Sequence, residues 1–303
     1  MATKQQTTTT TTAPDKGKAA ATTTNTALAA TPAAAAMSVV EELGADIFAD
    51  AGKGLTNIDA DSVAIPFLAV LQTNSPQVDP DDGAYVPGAK AGMFYNTVTK
   101  EAFDGKEGLF LVPCEYQRKF LRWQARETGG GFKGEIGINQ VVAMRERGEL
   151  IEMDNRLYVP SEDGSVNPKK SDKVSDTRVH YVLLLNPHTG AAQQAVVSLG
   201  STQIKKSKNL LALLGGVTIE HPETHQKATP PTFAIVVHIT TVPESNDQGK
   251  WHGVQFSVHG FVKDPNTYRM ARGFHKLINA GRAQVNFEQQ PGAEDAREEA
   301  RRF

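Results

Sequence analysis

Alternating hydrophobic and polar positions in the second half of the chain predict two β-hairpins. The first joins residues 178–185 to residues 192–199 across a turn rich in Asn, Pro and Gly. The second joins residues 232–242 to residues 251–262 around a polar loop. One face of its return strand is apolar, as in a sheet packed on one side, and carries Val254, Phe256, Val258 and Val262.

Helical spacing follows each hairpin. Ser201 and Thr202 are placed to cap a helix that ends at Gly215. Asp264-Pro265 begins another, whose apolar residues recur at helical intervals up to Gly281. The order of hairpin, helix, hairpin and helix predicts an α+β fold with two or three helices. A curved antiparallel sheet of the oligonucleotide-binding (OB) barrel type accommodates these strands, but spacing alone does not distinguish it from a sandwich.

The first half of the chain is less regular. Residues 65–72 form a short apolar segment, and residues 94–97 read as a strand that turns soon afterwards. The stretches 73–92 and 160–176 are polar and predict loops.

Composition divides the 303 residues into four segments. Residues 1–36 are almost entirely Thr, Ala, Gln and Lys, which predicts a disordered tail. Residues 37–89 are acidic, with nine acidic side chains against one basic, and residues 90–285 are basic, with a net charge of +6. Residues 286–303 form a charged C-terminal tail. We expect the basic segment to be the binding domain, because phosphate binding depends on the local field rather than on the net charge of the whole chain.

The segment from Tyr116 to Arg126 interleaves aromatic rings with cations. If it is extended, Tyr116, Arg118, Phe120 and Arg122 share one face, and Lys119 and Trp123 lie on the other. Rings that stack on bases and cations that neutralise phosphates are the two contacts that proteins use to bind single strands. A half-buried strand with partly buried Arg stems would show the same pattern, so this alternative stays open.

Two further clusters extend the predicted interface. A Gly-rich loop over residues 129–134 carries an aromatic residue and a lysine, and the predicted helix after Thr202 carries three lysines near its start. The predicted nucleic-acid-binding residues are therefore Tyr116, Arg118, Lys119, Phe120, Arg122, Trp123, Arg126, Phe132, Lys133, Lys205, Lys206 and Lys208.

Catalytic and metal-binding motifs are not found. The Gly-rich loop lacks the Gly-Lys-Ser/Thr ending of a P-loop, and His221 and His225 flank a proline without the partners of a zinc site. Asp79 and its acidic neighbours lie in a loop with Pro and Gly, which favours a solvated surface over a nuclease metal site. Cys114, in an apolar run, reads as a core residue. The sequence predicts a protein that is not an enzyme and needs no cofactor.

Several short segments resemble a group of tailed-bacteriophage early proteins that are often described as single-stranded DNA-binding proteins. The resemblance covers roughly residues 62–282 and rests on Ile65-Pro66-Phe67-Leu68, Gly88-Ala89-Lys90-Ala91-Gly92, Asn96-Thr97, Val112-Pro113-Cys114, Trp123 with the glycines after it, Ser201-Thr202-Gln203-Ile204-Lys205 and Gly249-Lys250-Trp251. It implies a replication or recombination accessory protein that coats exposed single strands in the cytoplasm of the host. Proteins of that role commonly recruit partners through an acidic tail with a terminal aromatic residue. Phe303 fits that pattern, but Arg301 and Arg302 depart from it.

The expected partners are thus single-stranded DNA, phage replication proteins at the C-terminal tail, and other copies of the chain at exposed sheet edges. No apolar run is long enough to predict a membrane span. The main alternative is a non-enzymatic phage structural or protein-interaction protein. It predicts an affinity for partners that is nearly independent of salt, whereas phosphate contacts make affinity fall with salt.

Overall fold

The computed structural model describes residues 46, 49–50, 64–247, 249–283 and 285–290, and of Arg126 and Gln289 only the backbone. The chain divides into the units Met1–Ala51 and Gly52–Phe303, and every element below belongs to the second. The tail predicted over residues 1–36, most of residues 37–63 and the end of the charged C-terminal tail, residues 291–303, lie outside the described residues.

The described part of the chain is α+β, with mostly antiparallel strands and three α-helices. The helices are α1 (Ile138–Glu146), α2 (Ile204–Gly215) and α3 (Pro265–Asn279). In chain order the strands are β1 (Leu68–Val70), β2 (Phe94–Asn96), β3 (Ala102–Phe103), β4 (Leu109–Trp123), β5 (Phe132–Ile136), β6 (Ile151–Met153), β7 (Arg156–Tyr158), β8 (Lys173–Leu185), β9 (Ala192–Gly200), β10 (Ile219–Glu220), β11 (Lys227–Ala228), β12 (Ile235–Asn246) and β13 (Gly249–Phe261).

The two long strands β4 and β8 form the centre of the main sheet. They pair antiparallel along almost their whole length, from Phe110 opposite Leu185 to Trp123 opposite Lys173. β12 pairs with the first part of β4 and β5 with its last part, while β9 pairs with β8. β13 pairs with β12 at one edge of the sheet, and the β6–β7 hairpin joins the start of β8.

A gap between β9 and β13, which we call the seam, is crossed by the chain around β1. Phe67 forms a parallel bridge with Val196 of β9, and Gln72 lies beside β13. The Gln72 side-chain amide imitates a strand peptide, because its Oε1 accepts from the His252 N–H at 2.8 Å and its Nε2 donates to the His252 carbonyl at 3.0 Å. The sheet is therefore curved, and the segment from Phe67 to Gln72 links its edge strands β9 and β13.

Four buried clusters stabilise this architecture in the described part of the chain. The first lies inside the curve, where Leu210 and Leu214 of α2 pack against residues such as Val182 and Val237. The second lies outside it, where Phe274 and Ile278 of α3 cover the other face of β4 and β8. α3 forms as its sequence predicts: the Asp264 carboxylate accepts from the Asn266 and Thr267 N–H groups. The third cluster joins α1 to the last part of β4 and the start of β8, and the fourth and smallest is formed by Leu71, Ala89 and Tyr95 near β1 and β2.

Both predicted hairpins and the helix after each of them are confirmed, and Cys114 is buried as predicted. Ser201 and Thr202 do not cap α2 as predicted: they lie in the 3-10 turn Ser201–Gln203, and α2 begins after Gln203 without a side-chain cap hydrogen bond. Two predicted loops are partly wrong. β8 begins at Lys173, inside the stretch predicted as a loop, and residues 132–136 of the Gly-rich region form β5. The helix α1 is an element that the sequence pattern did not reveal. Within the described residues, no helix has the length and apolarity needed to cross a membrane.

Candidate functional site

The predicted extended segment is confirmed as the second half of β4, which continues beyond the α2-covered interior. Residues directly opposite each other in an antiparallel pair share a face, so the register with β8 defines what surrounds each side chain. Tyr116 lies opposite His180, Arg118 opposite Arg178, and Phe120 opposite Asp176. We call this side of the ribbon the cationic face, formed by Tyr116, Arg118, Arg122, Lys133, Asp172, Asp176 and Arg178.

Asp176 holds two arginines on the cationic face. Its two carboxylate oxygens accept from Nε and an η nitrogen of Arg118, at 3.0 and 2.7 Å, and one of them also accepts from Arg178 at 3.0 Å. The hydrogen bond to Asp176 raises the pKa of the Arg118 guanidinium above its ordinary value. The Arg118 side chain is 38% exposed, whereas that of Arg178 is 12% exposed. Asp176 thus holds both the accessible guanidinium of Arg118 and the mostly buried guanidinium of Arg178.

Asp172 also shares its carboxylate between two cations, closer to the end of β4. Asp172 accepts from Arg122, with the closest contact at 2.7 Å, and lies 3.3 Å from the Lys133 ammonium. Lys133 reaches it because the β4–β5 register shifts between Arg122 and Trp123, and Gly134 takes a φ of +126° there. Such a bulge redirects a side chain, and that φ favours glycine. The bulge thereby joins a predicted lysine of the Gly-rich region to a predicted arginine of β4.

The cationic face carries more positive than negative charge. Its four cations share two carboxylates, which leaves a net charge of +2. Each carboxylate together with its two cations carries one excess positive charge. Arg118, Arg122 and Lys133 keep 38%, 35% and 41% of their side chains exposed, respectively. This arrangement can accept an additional anion without breaking the existing ion pairs.

One end of the cationic face is anchored to α2. The Tyr116 hydroxyl accepts from Arg178 at 3.0 Å, and the Tyr116 ring lies 5.1 Å from the His180 ring. His180 in turn hydrogen-bonds the buried Ser207 of α2 at 2.7 Å. Burial, with a smaller contribution from the Arg178 charge, lowers the pKa of His180 to about 4, so the imidazole is neutral near pH 7. Tyr116 is half-buried: Arg178 holds its hydroxyl, and the His180 ring packs against its ring.

The predicted lysines of α2 do not act as one group. Lys206 pairs with Glu244 at 2.8 Å, towards the tip of the β12–β13 hairpin. Lys205 and Lys208 are exposed. Helical spacing places Lys208 on the flank opposite Lys206, with Ser207 and its contact to His180 between them. Lys208 is thus exposed on the flank of α2 that faces away from the Lys206–Glu244 pair.

Phe120 is the predicted base-stacking residue that is least accessible. It is 5% exposed and packs with Ile136, Val141 and Val174 under α1. The Arg118 guanidinium lies 4.9 Å from the centre of its ring, which covers it further. Phe120 could stack on a base only if this cluster opened.

The remaining predicted residues of β4 and β5 lie on the opposite face. Lys119 pairs with Glu135 at 2.7 Å, and its ammonium lies 5.3 Å from the centre of the Phe287 ring. Trp123 and Phe132 are 5.4 Å apart, and Phe132 is 5.7 Å from Phe287. These rings form an aromatic row in which Phe287 is buried and Trp123 and Phe132 are half-buried. Arg126 begins a short 3-10 helix after β4, and its side chain lies outside the described residues.

Sequence reasoning missed Arg178, Asp176 and Asp172, which organise the cationic face. The only available signal was that Arg178 opened a predicted strand, and its register with β4 was not readable. Among the described residues, no group of three or more His, Cys, Asp or Glu side chains could hold a metal ion. Burial raises the pKa of the Cys114 thiol to about 12, which removes its nucleophilic form near neutral pH.

Comparison with known proteins places the chain in a phage family. The profile of the family described as Pam3 phage gp34-like protein matches residues 12–284, so the chain belongs to that family. No curated protein and no solved structure matches it. The resemblance to phage proteins is thereby confirmed, and the family description names no activity.

Proposed function

We propose that this phage protein binds single-stranded DNA without sequence preference, through phosphate contacts on the cationic face. The observation that carries the proposal is the sharing of each carboxylate by two cations. Because Asp172 and Asp176 hold the guanidinium groups in place and leave a net charge of +2, phosphates of a strand meet preorganised donors. Arg118, Arg122 and Lys133 contact phosphates, and Lys208 extends the path along α2.

The connectivity of the main sheet supports this function. Its five long strands lie in the order β9-β8-β4-β12-β13, and α2 connects the third of them in sequence to the fourth. This is the connectivity of a five-stranded OB-type barrel, which binds oligonucleotides around its second and third strands and the loop after the first. In that reading β8 is the second strand, and the cationic face lies where β4 and β8 run into the loop between them. We therefore propose an OB-type fold for residues 90–285.

Base stacking in this proposal is assigned to Tyr116. Its ring lies on the cationic face and is half-buried, and its hydroxyl bonded to Arg178 keeps it oriented. The other predicted rings are buried or lie on the opposite face. Phosphate contacts should thus contribute more to affinity than stacking does. Because exposed single strands arise in the host cytoplasm during phage replication and recombination, we propose that compartment as the site of action.

Two neighbouring residues of β4 provide the test. Arg118→Gln and Lys119→Gln each remove one cation from the same strand, but on opposite faces. Binding to oligo-dT, followed by fluorescence anisotropy at several salt concentrations, should weaken in Arg118→Gln. The slope of log affinity against log salt should fall by about 0.7, the value for one phosphate on a single strand. Lys119→Gln should retain the wild-type slope. Equal effects of the two substitutions would refute the assignment of the face.

A protein-interaction function is a second candidate, favoured by apolar side chains near the end of β13. Val258 and Phe261 are 37% and 47% exposed, and Phe110 of β4 is 37% exposed beside His259. Exposed sheet edges of this kind pair with other chains. This function predicts association with a partner or a second copy that is weakened by Phe261→Asp and changes little with salt. Light scattering across protein concentrations measures the self-association.

A further inference from the structure

Two glutamine side chains cover part of the outer edge of β13, the edge that faces away from β12. In an antiparallel pair, residues bonded to the partner strand alternate with residues whose N–H and C=O point the other way. His252 is of the second kind, because the Gln72 amide binds its N–H and its carbonyl. Val254 follows it in the alternation, and its N–H donates to the Gln203 Oε1 at 3.0 Å. Side chains at the seam thus satisfy the start of this edge.

The next two outward-facing residues of the edge, Phe256 and Val258, have no such cover. The register of β13 with β12 is regular up to Val258, so their N–H and C=O groups point the same way as those of His252 and Val254. Within the described part of the chain, no strand pairs with this edge and no hydrogen bond reaches these groups. The free edge ends at Val258, because the register shifts before Gly260.

Side chains on both faces of this stretch reach solvent, so no other described segment covers it. Gln255 and Ser257 are exposed on one face, and Val258 is 37% exposed on the other, where Phe256 is half-buried. From residue 254 to residue 262 the strand and its end contain no Lys, Arg, Asp, Glu or Pro. Proteins commonly protect an open edge with charged residues or proline. This edge is left without those residues.

Only another extended backbone supplies donors and acceptors that alternate as they do along a strand edge, and a second copy of this edge does so. In an antiparallel pair centred on Ser257, Phe256 of each copy lies opposite Val258 of the other, and each such pair exchanges two hydrogen bonds. Ser257 then lies opposite its own counterpart, on a two-fold axis. A pair centred on a neighbouring residue would form fewer bonds, since it would need the Val254 N–H, which Gln203 already binds, or the irregular stretch after Val258.

The absence of charge makes this edge compatible with itself. Identical strands that meet about a two-fold axis bring like charges together, and like charges directly opposite each other are destabilising. The Phe261 side chain, 47% exposed beyond the register shift, adds apolar area beside the pair. Edges this short bury less area than the roughly 1,200–2,000 Å² of stable interfaces. Association should therefore be weak, with a dissociation constant in the micromolar range.

We propose that the protein forms a two-fold symmetric dimer in which the β13 edges of two copies pair antiparallel, centred on Ser257. Closed two-fold pairs are the commonest arrangement of identical subunits. The dimer goes beyond the DNA-binding function proposed above and does not rest on it, and it gives the protein-interaction function a defined partner. β13 is joined through β12 to the first part of β4, whereas the cationic face lies on the second half of β4. Both cationic faces therefore lie away from the paired edges.

Opposite charges placed at Ser257 test the dimer. Ser257→Lys and Ser257→Asp change an exposed side chain, so each variant should fold, as circular dichroism would show. Each should weaken self-association about tenfold at low salt, because two like charges then face each other at ~5 Å. An equimolar mixture of the two variants should associate at least as tightly as the wild type. Sedimentation velocity of the full chain across micromolar concentrations measures each dissociation constant.

Ser245→Lys is the matched control, because Ser245 is an exposed serine of the same hairpin but lies on β12, near the turn. Weakening by both Ser257 substitutions, recovery in the mixture and wild-type behaviour of Ser245→Lys support the dimer. A wild-type chain that stays monomeric at every concentration overturns the proposal, and so does association that the Ser257 substitutions leave unchanged or that the mixture fails to restore.

Two further variants separate this proposal from the functions proposed above. Loss of association in Phe261→Asp without any effect at Ser257 would overturn the β13 pairing while leaving a protein-interaction function at another surface. Arg118→Gln should leave self-association unchanged and weaken only the binding of oligo-dT. Failure of the dimer and failure of DNA binding are therefore distinguishable.

Discussion

Substitution of Asp176 by Asn should weaken the fold and strengthen DNA binding at the same time. The carboxylate accepts three hydrogen bonds from Arg118 and Arg178, and its side chain is 25% exposed. Removing one partner of a fully buried ion pair costs about 3–5 kcal/mol, and solvent at this partly exposed site reduces that value. We therefore expect a loss of about 1–3 kcal/mol in the free energy of unfolding, measured by urea denaturation.

The same substitution raises the charge of the cationic face from +2 to +3. One more net charge at ~6 Å from a phosphate contributes about 1 kcal/mol for an effective dielectric between those of water and the protein surface. The amide oxygen that remains in Asp176→Asn still accepts from Arg118, so the guanidinium stays on the cationic face. Affinity for oligo-dT at low salt should then rise about fivefold, and the increase should disappear at high salt.

Glu135→Gln is the matched control for this prediction. It also removes one negative charge beside β4, but it releases Lys119 on the opposite face. It changes the charge of the chain equally and should raise the affinity much less. The reasoning is refuted if Asp176→Asn binds oligo-dT no more tightly than Glu135→Gln does while both remain folded.

Three other substitutions test the roles of Phe120, His180 and Asp264. Phe120→Ala should cost about 3–5 kcal/mol of unfolding free energy, because the ring is a core residue under α1; a stable variant that loses about 1–3 kcal/mol of binding energy would instead identify Phe120 as a stacking residue. Burial lowers the pKa of His180 to about 4 from 6.5, so between these values the unfolded chain binds a proton that the folded chain does not. The free energy of unfolding should have its full value above pH 6.5 and fall by up to roughly 3 kcal/mol towards pH 4. A pH dependence in His180→Gln equal to that of the wild type would contradict this. Asp264→Ala should lower stability by about 1 kcal/mol through loss of the α3 cap, and a change in oligo-dT affinity would show that α3 takes part in binding.

The sequence predicted those helices and hairpins that are determined by residues close together in the chain. The Asp264-Pro265 start of α3 and the hairpin between β8 and β9 depend on capping and turn residues that are close together in the chain. The alternation of Tyr116, Arg118 and Phe120 against Lys119 and Trp123 also follows from strand geometry alone. The start of β8 was predicted as a loop because Lys173, Ser175 and Asp176 are polar, and pairing with β4 rather than local hydrophobicity makes this stretch a strand.

The candidate site could be predicted only in part, because the pairing registers of β4 with β8 and with β5 decide which side chains meet. Sequence spacing brought Arg118 and Arg122 to one face, but it did not show that Asp176 lies beside Arg118 across the ribbon. It also did not show that a bulge at Gly134 turns Lys133 towards Asp172. The burial of Phe120 depends on α1, a helix with a weak apolar pattern whose one fully buried residue is Val141. Contacts between distant segments decided each of these points.

Binding of single-stranded DNA to the cationic face through its phosphates can be measured with the intact protein. The most direct measurement is the fluorescence anisotropy of labelled oligo-dT and of a matched duplex, titrated with the full chain at several salt concentrations. The protein should bind the single strand in preference to the duplex, with a log affinity that falls linearly with log salt. Absence of binding at low salt, or an affinity that does not change with salt, would contradict it.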